Sequence, residues 1–202
     1  MSEDELIKTI NELKNSPINK VVNNRITEFL GIRRDFNTLF RELAFCILTA
    51  GTSAELGIKT IAHLGDTLLN GDLNSIQEKL KEVYRFHTVR AGYLFNARDK
   101  FKQLNINSPN IRDELVEKIK GLGMKEASHF LRNVGFEDYA IIDFHIIDIL
   151  EKYGLIEKPK TMTKNKYLEI EDILKKLAKK VNLSLAELDL YLWYKETGKV
   201  LK

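Results

Sequence analysis

A lysine and an aspartate near a glycine-rich turn can carry nucleophilic chemistry, and "KIKGLGMKEASHFLRNVGFEDYAIIDFHIIDIL" holds both. Lys125 follows the "GLG" turn and falls in the first turn of an apolar-periodic segment. A cation there meets the unfavourable end of the helix dipole, which lowers the cost of losing a proton. In a dry site such an amine can be neutral enough to attack carbon. The plainer reading is an exposed lysine at a helix start. Asp143 follows Ile141 and Ile142 and precedes a helical pattern of Phe144, Ile147 and Leu150. It is either an ordinary N-cap or a half-buried carboxylate able to act as base or to stabilise positive charge.

The turn itself carries glycines at 121 and 123. Glycine tolerates positive φ and removes the side chain that keeps another backbone away. Exposed N–H groups beside a helix start form a cradle for an anion such as a DNA phosphate. A tight corner between two helices would use the same residues.

The elements around these residues read as helices throughout. Apolar residues recur at three and four, and strict alternation is nearly absent, so the fold class is all-α. Leu6, Ile7, Ile10 and Leu13 mark a first helix, and Val21, Val22, Ile26 and Phe29 a second, stopped at Gly31. "DFNTLFRELAFCILTA" is a central third. Further helices are predicted near 54–64, 73–83, 87–104, 110–118, 124–134, 144–153, 164–181 and 185–197. The last opens on a capping box, Ser184 with Glu187, and closes at Gly198. Breaks at "TAGTS" (49–53) and "GFEDYA" (135–140) predict a central lobe, 52–135, ending in the hairpin, and a second lobe of 1–51 with 136–202.

Bulk composition bounds the function. A chain of 202 residues, 44% hydrophobic and 30% charged, can bury a sizeable core. The net charge of +3 permits nucleic-acid binding without arguing for it. Cys46, in an apolar run, is the chain's single cysteine, so disulfides, iron–sulfur clusters and cysteine zinc sites within one chain are excluded. The acidic start "MSEDELIKTI" is unlike a signal peptide, and no apolar run reaches membrane-spanning length. An intracellular protein of cytoplasm or nucleoid, with no membrane partner, is expected.

"GLGMKEASHFLRN" followed by "AIIDFHI" resembles the lysine-bearing branch of the helix-hairpin-helix superfamily of DNA repair glycosylases. "KEASHFLRNVG", "LAFCILTAGTSAELGI", "YRFHTVRAGYLFNARDKF" and the tail "ELDLYLWYKETGKVLK" extend the likeness over most of the chain. They are most similar to the archaeal class of 8-oxoguanine DNA glycosylase. The resemblance implies a single unit, 1–202, of two helical lobes around a DNA-binding cleft. It implies a bifunctional enzyme that excises 8-oxoguanine through a lysine Schiff base and cuts the abasic strand by β-elimination. The same chemistry on another damaged base, or a hairpin module that only holds DNA, are the alternatives.

By that resemblance Lys125 is the nucleophile, and Asp143 stabilises charge on the sugar and helps manage the lysine's proton. By the same resemblance Gly121, Gly123 and His145 touch DNA backbone, with a half-buried histidine at a helix start as the alternative for His145. His129, one turn after Lys125, either supports the site or fills the core. A base flipped from the stack is read by stacking and edge hydrogen bonds. Trp193 and Asp189, one turn apart on the last helix, are the aromatic and the carboxylate expected to meet it, with plain core packing as the alternative for Trp193. Phe86 resembles the aromatic on the base's other face, with Tyr84 as the alternative, and Lys202 resembles a terminal lysine used in recognition. "LTAGTSAEL" aligns with a loop that fills the gap left by the base, but Gly51 has no side chain to insert. No organic cofactor or metal is implied, although the turn carbonyls can hold a monovalent cation. The expected partner is double-stranded DNA with an oxidised purine, bound by a monomer.

Overall fold

The computed structural model describes residues 1–201. Among them twelve α-helices and no strands occur. They are α1 (Glu3–Lys14), α2 (Ile18–Leu30), α3 (Phe36–Thr49), α4 (Ala54–Leu64), α5 (Thr67–Asn70) and α6 (Leu73–Val83), then α7 (His87–Lys102), α8 (Ile111–Lys118), α9 (Met124–Asn133), α10 (Phe144–Lys152), α11 (Lys164–Lys180) and α12 (Leu185–Thr197). None of them is long and apolar enough to cross a membrane. The starts follow local chemistry. Ser2 and Ser184 each close a capping box, while Asp35 and Asp72 accept backbone N–H bonds at the starts of α3 and α6.

The chain divides into two compact units: Arg33–Phe130, and Met1–Ile32 with Leu131–Lys202. The first boundary lies earlier than the expected 51/52, because α3 packs against α4 and α7 and belongs with them. The second lies before the expected 135/136. The last turn of α9 counts with the second unit, where Arg132 pairs with Asp189 of α12.

In the unit Arg33–Phe130, α3 is buried almost all round, from Leu39 to Thr49. Phe36, Phe40 and Phe101 pack ring to ring at 5.5–6.3 Å, and Phe130 meets Phe101 edge-on at 5.6 Å. α4 lies close against α3 because Gly57 has no side chain. A Cβ there would come within 2.5 Å of the Thr49 Cγ2 methyl and 3.0 Å of the Phe45 ring. In the other unit, Val22, Ile26 and Phe29 of α2 bury against Ala186, Leu190 and Tyr191 of α12. The Tyr191 hydroxyl donates to Asn19 Oδ1 at 2.8 Å, so this buried phenol is satisfied.

Gly57→Val is expected to destabilise the protein by about 1–3 kcal/mol, the usual cost of overfilling a packed contact. Urea unfolding beside the wild type checks it; equal midpoints would mean that α4 can move away from α3 without cost.

Candidate active site

The hairpin joins α8 to α9. Gly121 adopts φ +96°, and a Cβ on it would lie 2.5 Å from Cδ2 of the Tyr93 ring. Both conformation and contact therefore require glycine there. Gly123 differs from Gly121, since its φ is not positive. Its carbonyl accepts from Ala127 N at 2.9 Å, which makes it the residue that opens α9. Its N–H donates to Glu126 Oε2 at 3.1 Å.

Lys125 occupies the first turn of α9 with its side chain 28% exposed. Its Nζ stands 3.8 Å from Glu126 Oε1. His129, one turn on, points inward: it is 9% exposed and meets the Phe45 ring edge-on at 5.6 Å.

Asp143 caps α10, its Oδ1 accepting from Ile146 N at 3.0 Å. The extended segment before it is pinned from α11. The Tyr167 hydroxyl donates to the Ala140 carbonyl at 2.7 Å and accepts from Ile142 N at 3.2 Å. Glu171 Oε2 accepts from Ala140 N at 3.0 Å. Three backbone polar groups of this buried stretch, which no sheet or helix satisfies, are thus met by two side chains. His145, two residues past Asp143, packs edge-on against Trp193 at 5.0 Å, and beside it Phe144 is 65% exposed.

Asp189 and Trp193 lie one turn apart on α12, as the spacing predicts. Asp189 is already engaged, however. Arg132 Nη1 donates to its Oδ2, with both side chains nearly buried. Asn133 Oδ1 accepts from Arg132 Nε and Nη2 at 3.3 and 3.0 Å, and the guanidinium lies over the Phe29 ring. Of the two aromatics before α7, Tyr84 is committed to the interior, its hydroxyl donating to the Leu48 carbonyl. Phe86 is exposed at the start of α7, with the Arg85 guanidinium 4.4 Å from its ring centre. In the loop after α3, Thr52 Oγ1 donates to the Leu48 carbonyl at 2.7 Å and Arg90 Nη2 to the Ala50 carbonyl at 2.8 Å. Gly51 sits at φ +79° with open space where a Cβ would be. Lys202 lies outside the described residues. Phe86, Gly121, Gly123 and Lys125 thus belong to the unit Arg33–Phe130, and Asp143, His145, Asp189 and Trp193 to the other.

The sequence model of the 8-oxoguanine DNA glycosylase family matches residues 22–183. The chain belongs to that family. The 8-oxoguanine DNA glycosylase/AP lyase of Methanocaldococcus jannaschii is 48% identical over 98% of this chain and 99% of its own. That of Aquifex aeolicus is 45% identical over 92% of this chain and 94% of its own. The crystal structure of the M. jannaschii glycosylase/lyase with a 15mer DNA containing 8-oxoguanine superposes with a TM-score of 0.93, covering 98% of this chain and 100% of that one. The Thermotoga maritima 8-oxoguanine DNA glycosylase gives 0.91 at 39% identity, over 99% of this chain and 100% of that one.

Within this family member, the residues that sequence reading passed over are the supports. Arg132 is an arginine among apolar neighbours in "HFLRNVG", a signal for a buried ion pair whose partner local pattern cannot name. Tyr167 and Glu171 give no such signal; they look like ordinary members of α11.

Breaking the pair on one side strands a buried charge. Arg132→Met is therefore expected to cost about 3–5 kcal/mol. Arg132→Met with Asp189→Leu is expected to recover most of that loss. If Asp189 also reads the base, the double variant regains melting temperature but not excision of 8-oxoguanine. Recovery of both would reduce Asp189 to a structural partner.

Proposed function

We propose that this chain excises 8-oxoguanine from double-stranded DNA and then cleaves the abasic strand, with Lys125 as nucleophile and Asp143 as the charge-stabilising carboxylate. The observation that carries the reading is a half-buried lysine in the first turn of α9, directly behind a hairpin whose turn demands Gly121. It stands in a chain 48% identical, end to end, to a named glycosylase/lyase.

The Lys125 amine forms a bond to C1′ as the C1′–N9 bond breaks, and the base leaves with the electron pair. A proton passes from the amine nitrogen to the ring oxygen as the C1′–O4′ bond breaks and the sugar opens to an imine. Removal of a C2′ proton then expels the 3′ phosphate, a β-elimination that the imine promotes, whereas an unassisted water nucleophile would leave only an abasic site. Asp143, anchored by its bond from Ile146 N, supplies negative charge as the sugar becomes cationic. Phe86 and Trp193 are assigned the faces of the extruded base, with Asp189 and Lys202 at its edge. Gly121, Gly123 and His145 are assigned backbone phosphates. The imine is made by protein and sugar alone, so we assign no organic cofactor, and a cation at the turn would serve DNA binding. A monomer acting inside the cell is the form proposed.

Incubation with 8-oxoguanine duplex and borohydride is expected to give a covalent protein–DNA adduct that Lys125→Gln abolishes. Full trapping by that variant would move the nucleophile elsewhere.

Asp143→Asn keeps a side chain that caps helices well, so melting is expected to change little. Single-turnover excision is expected to slow by roughly 10²-fold or more. DNA affinity should hold, since phosphate contacts carry most of it. A variant with normal rates would leave Asp143 as a cap only.

A further inference from the structure

The hairpin contains one acidic side chain that the chemistry above does not use. Glu126 stands beside the amine, and its carboxylate is largely withdrawn from solvent, 18% exposed. A negative charge is a poor choice beside a turn meant to meet phosphates, because it repels them and opposes the charge neutralisation that drives DNA binding. Its position gives it two contacts at once. Oε2 accepts from the Gly123 N–H at 3.1 Å, and Oε1 lies 3.8 Å from Lys125 Nζ. The first contact is half of a capping box: a glutamate in the first turn reaching back to the N–H of the residue that opens the helix. Glycine at 123 has no side chain to return the bond, and a Cβ there would lie 3.1 Å from Oε2. The second contact is not needed for capping.

We propose that Glu126 is a positioning residue that ties Lys125 to the hairpin, one carboxylate oxygen fixed by the Gly123 N–H and the other holding the Lys125 side chain. Lysine has a flexible four-carbon stem, and unrestrained it spends little of its time in any one reactive arrangement. A carboxylate anchored to the turn limits that freedom before DNA arrives. Its own geometry is set by the hairpin, which Gly121 and Tyr93 fix. The other lysines of this region are engaged elsewhere. Lys118 pairs with Glu114 at 3.0 Å, and Lys120 lies over the Tyr93 ring at 5.7 Å. The proposal rests on the assignment of Lys125 as nucleophile.

Glu126→Gln separates the two contacts. Glutamine keeps an oxygen for the Gly123 N–H and serves in capping boxes as glutamate does. It loses the charge that holds Lys125. Melting is expected to match the wild type, and affinity for uncleaved DNA to be equal or tighter. Single-turnover excision is expected to fall by about 10-fold to 100-fold, the scale of a small misplacement of a reacting group. The same fold-loss is expected at a preformed abasic site, because the lysine acts on the sugar whether or not a base is present. A normal rate in Glu126→Gln would reduce Glu126 to a cap and overturn the proposal. So would a rate loss matched by lost DNA affinity, or one confined to 8-oxoguanine substrate. Lys125→Gln is run in parallel. Trapping that survives in that variant would defeat the nucleophile assignment itself, whereas an inactive Lys125→Gln beside a fully active Glu126→Gln would defeat the positioning role alone.

Discussion

Position 121 has no room for a side chain, and much of the unit Arg33–Phe130 is arranged around that fact. The Tyr93 ring fills the place where a Cβ would be, and the backbone there runs at φ +96°. Any other residue would have to displace an aromatic ring and adopt a left-handed conformation that costs energy for L side chains. The turn is thereby fixed, and with it the start of α9, the N–H of Gly123 and the first-turn site of Lys125. Tyr93 belongs to α7, which packs on α3, α5 and α6. The same helix begins directly after Phe86 and uses Arg90 to hold the Ala50 carbonyl. One packed helix thus sets the hairpin, an exposed aromatic and the loop after α3.

The other unit holds the side chains proposed for the site mainly by a different device, buried polar groups with named partners. Tyr167 and Glu171 take up the backbone of 140–142, so Asp143 starts α10 from a fixed segment. Arg132 holds Asp189, and His145 packs on Trp193. These groups sit on helices or on backbone tied to helices, which keeps their positions tighter than loops would. The cost is sensitivity. Removing Tyr167, Glu171 or Arg132 leaves a buried or nearly buried polar group without its bond.

Helical periodicity was legible wherever a helix had several turns: 54–64, 73–83 and 185–197 fall where α4, α6 and α12 do. α5 went unread because four residues with one buried leucine make no pattern. The unit boundary was misplaced because the apolar girth of α3 says that it is central, not which helices cover it. Around the hairpin, Gly121 and Lys125 could be read from the turn, but Glu126 was missed because a capping box is normally recognised by serine or threonine at its start, and here that residue is glycine. The Asp189 pairing was invisible for a stronger reason. Its spacing with Trp193 is local, whereas its ion pair with Arg132 joins distant parts of the chain, and only packing brings them together. Phe86 and Tyr84 looked interchangeable in sequence; burial separates them.

The most direct measurement is to map the bond itself. The borohydride-reduced complex with 8-oxoguanine DNA is digested with protease and nuclease, and the modified peptide is located by tandem mass spectrometry. The account predicts a deoxyribose remnant on the peptide containing Lys125, fragmenting to that side chain. A remnant on Lys118, Lys120 or any other amine would contradict it.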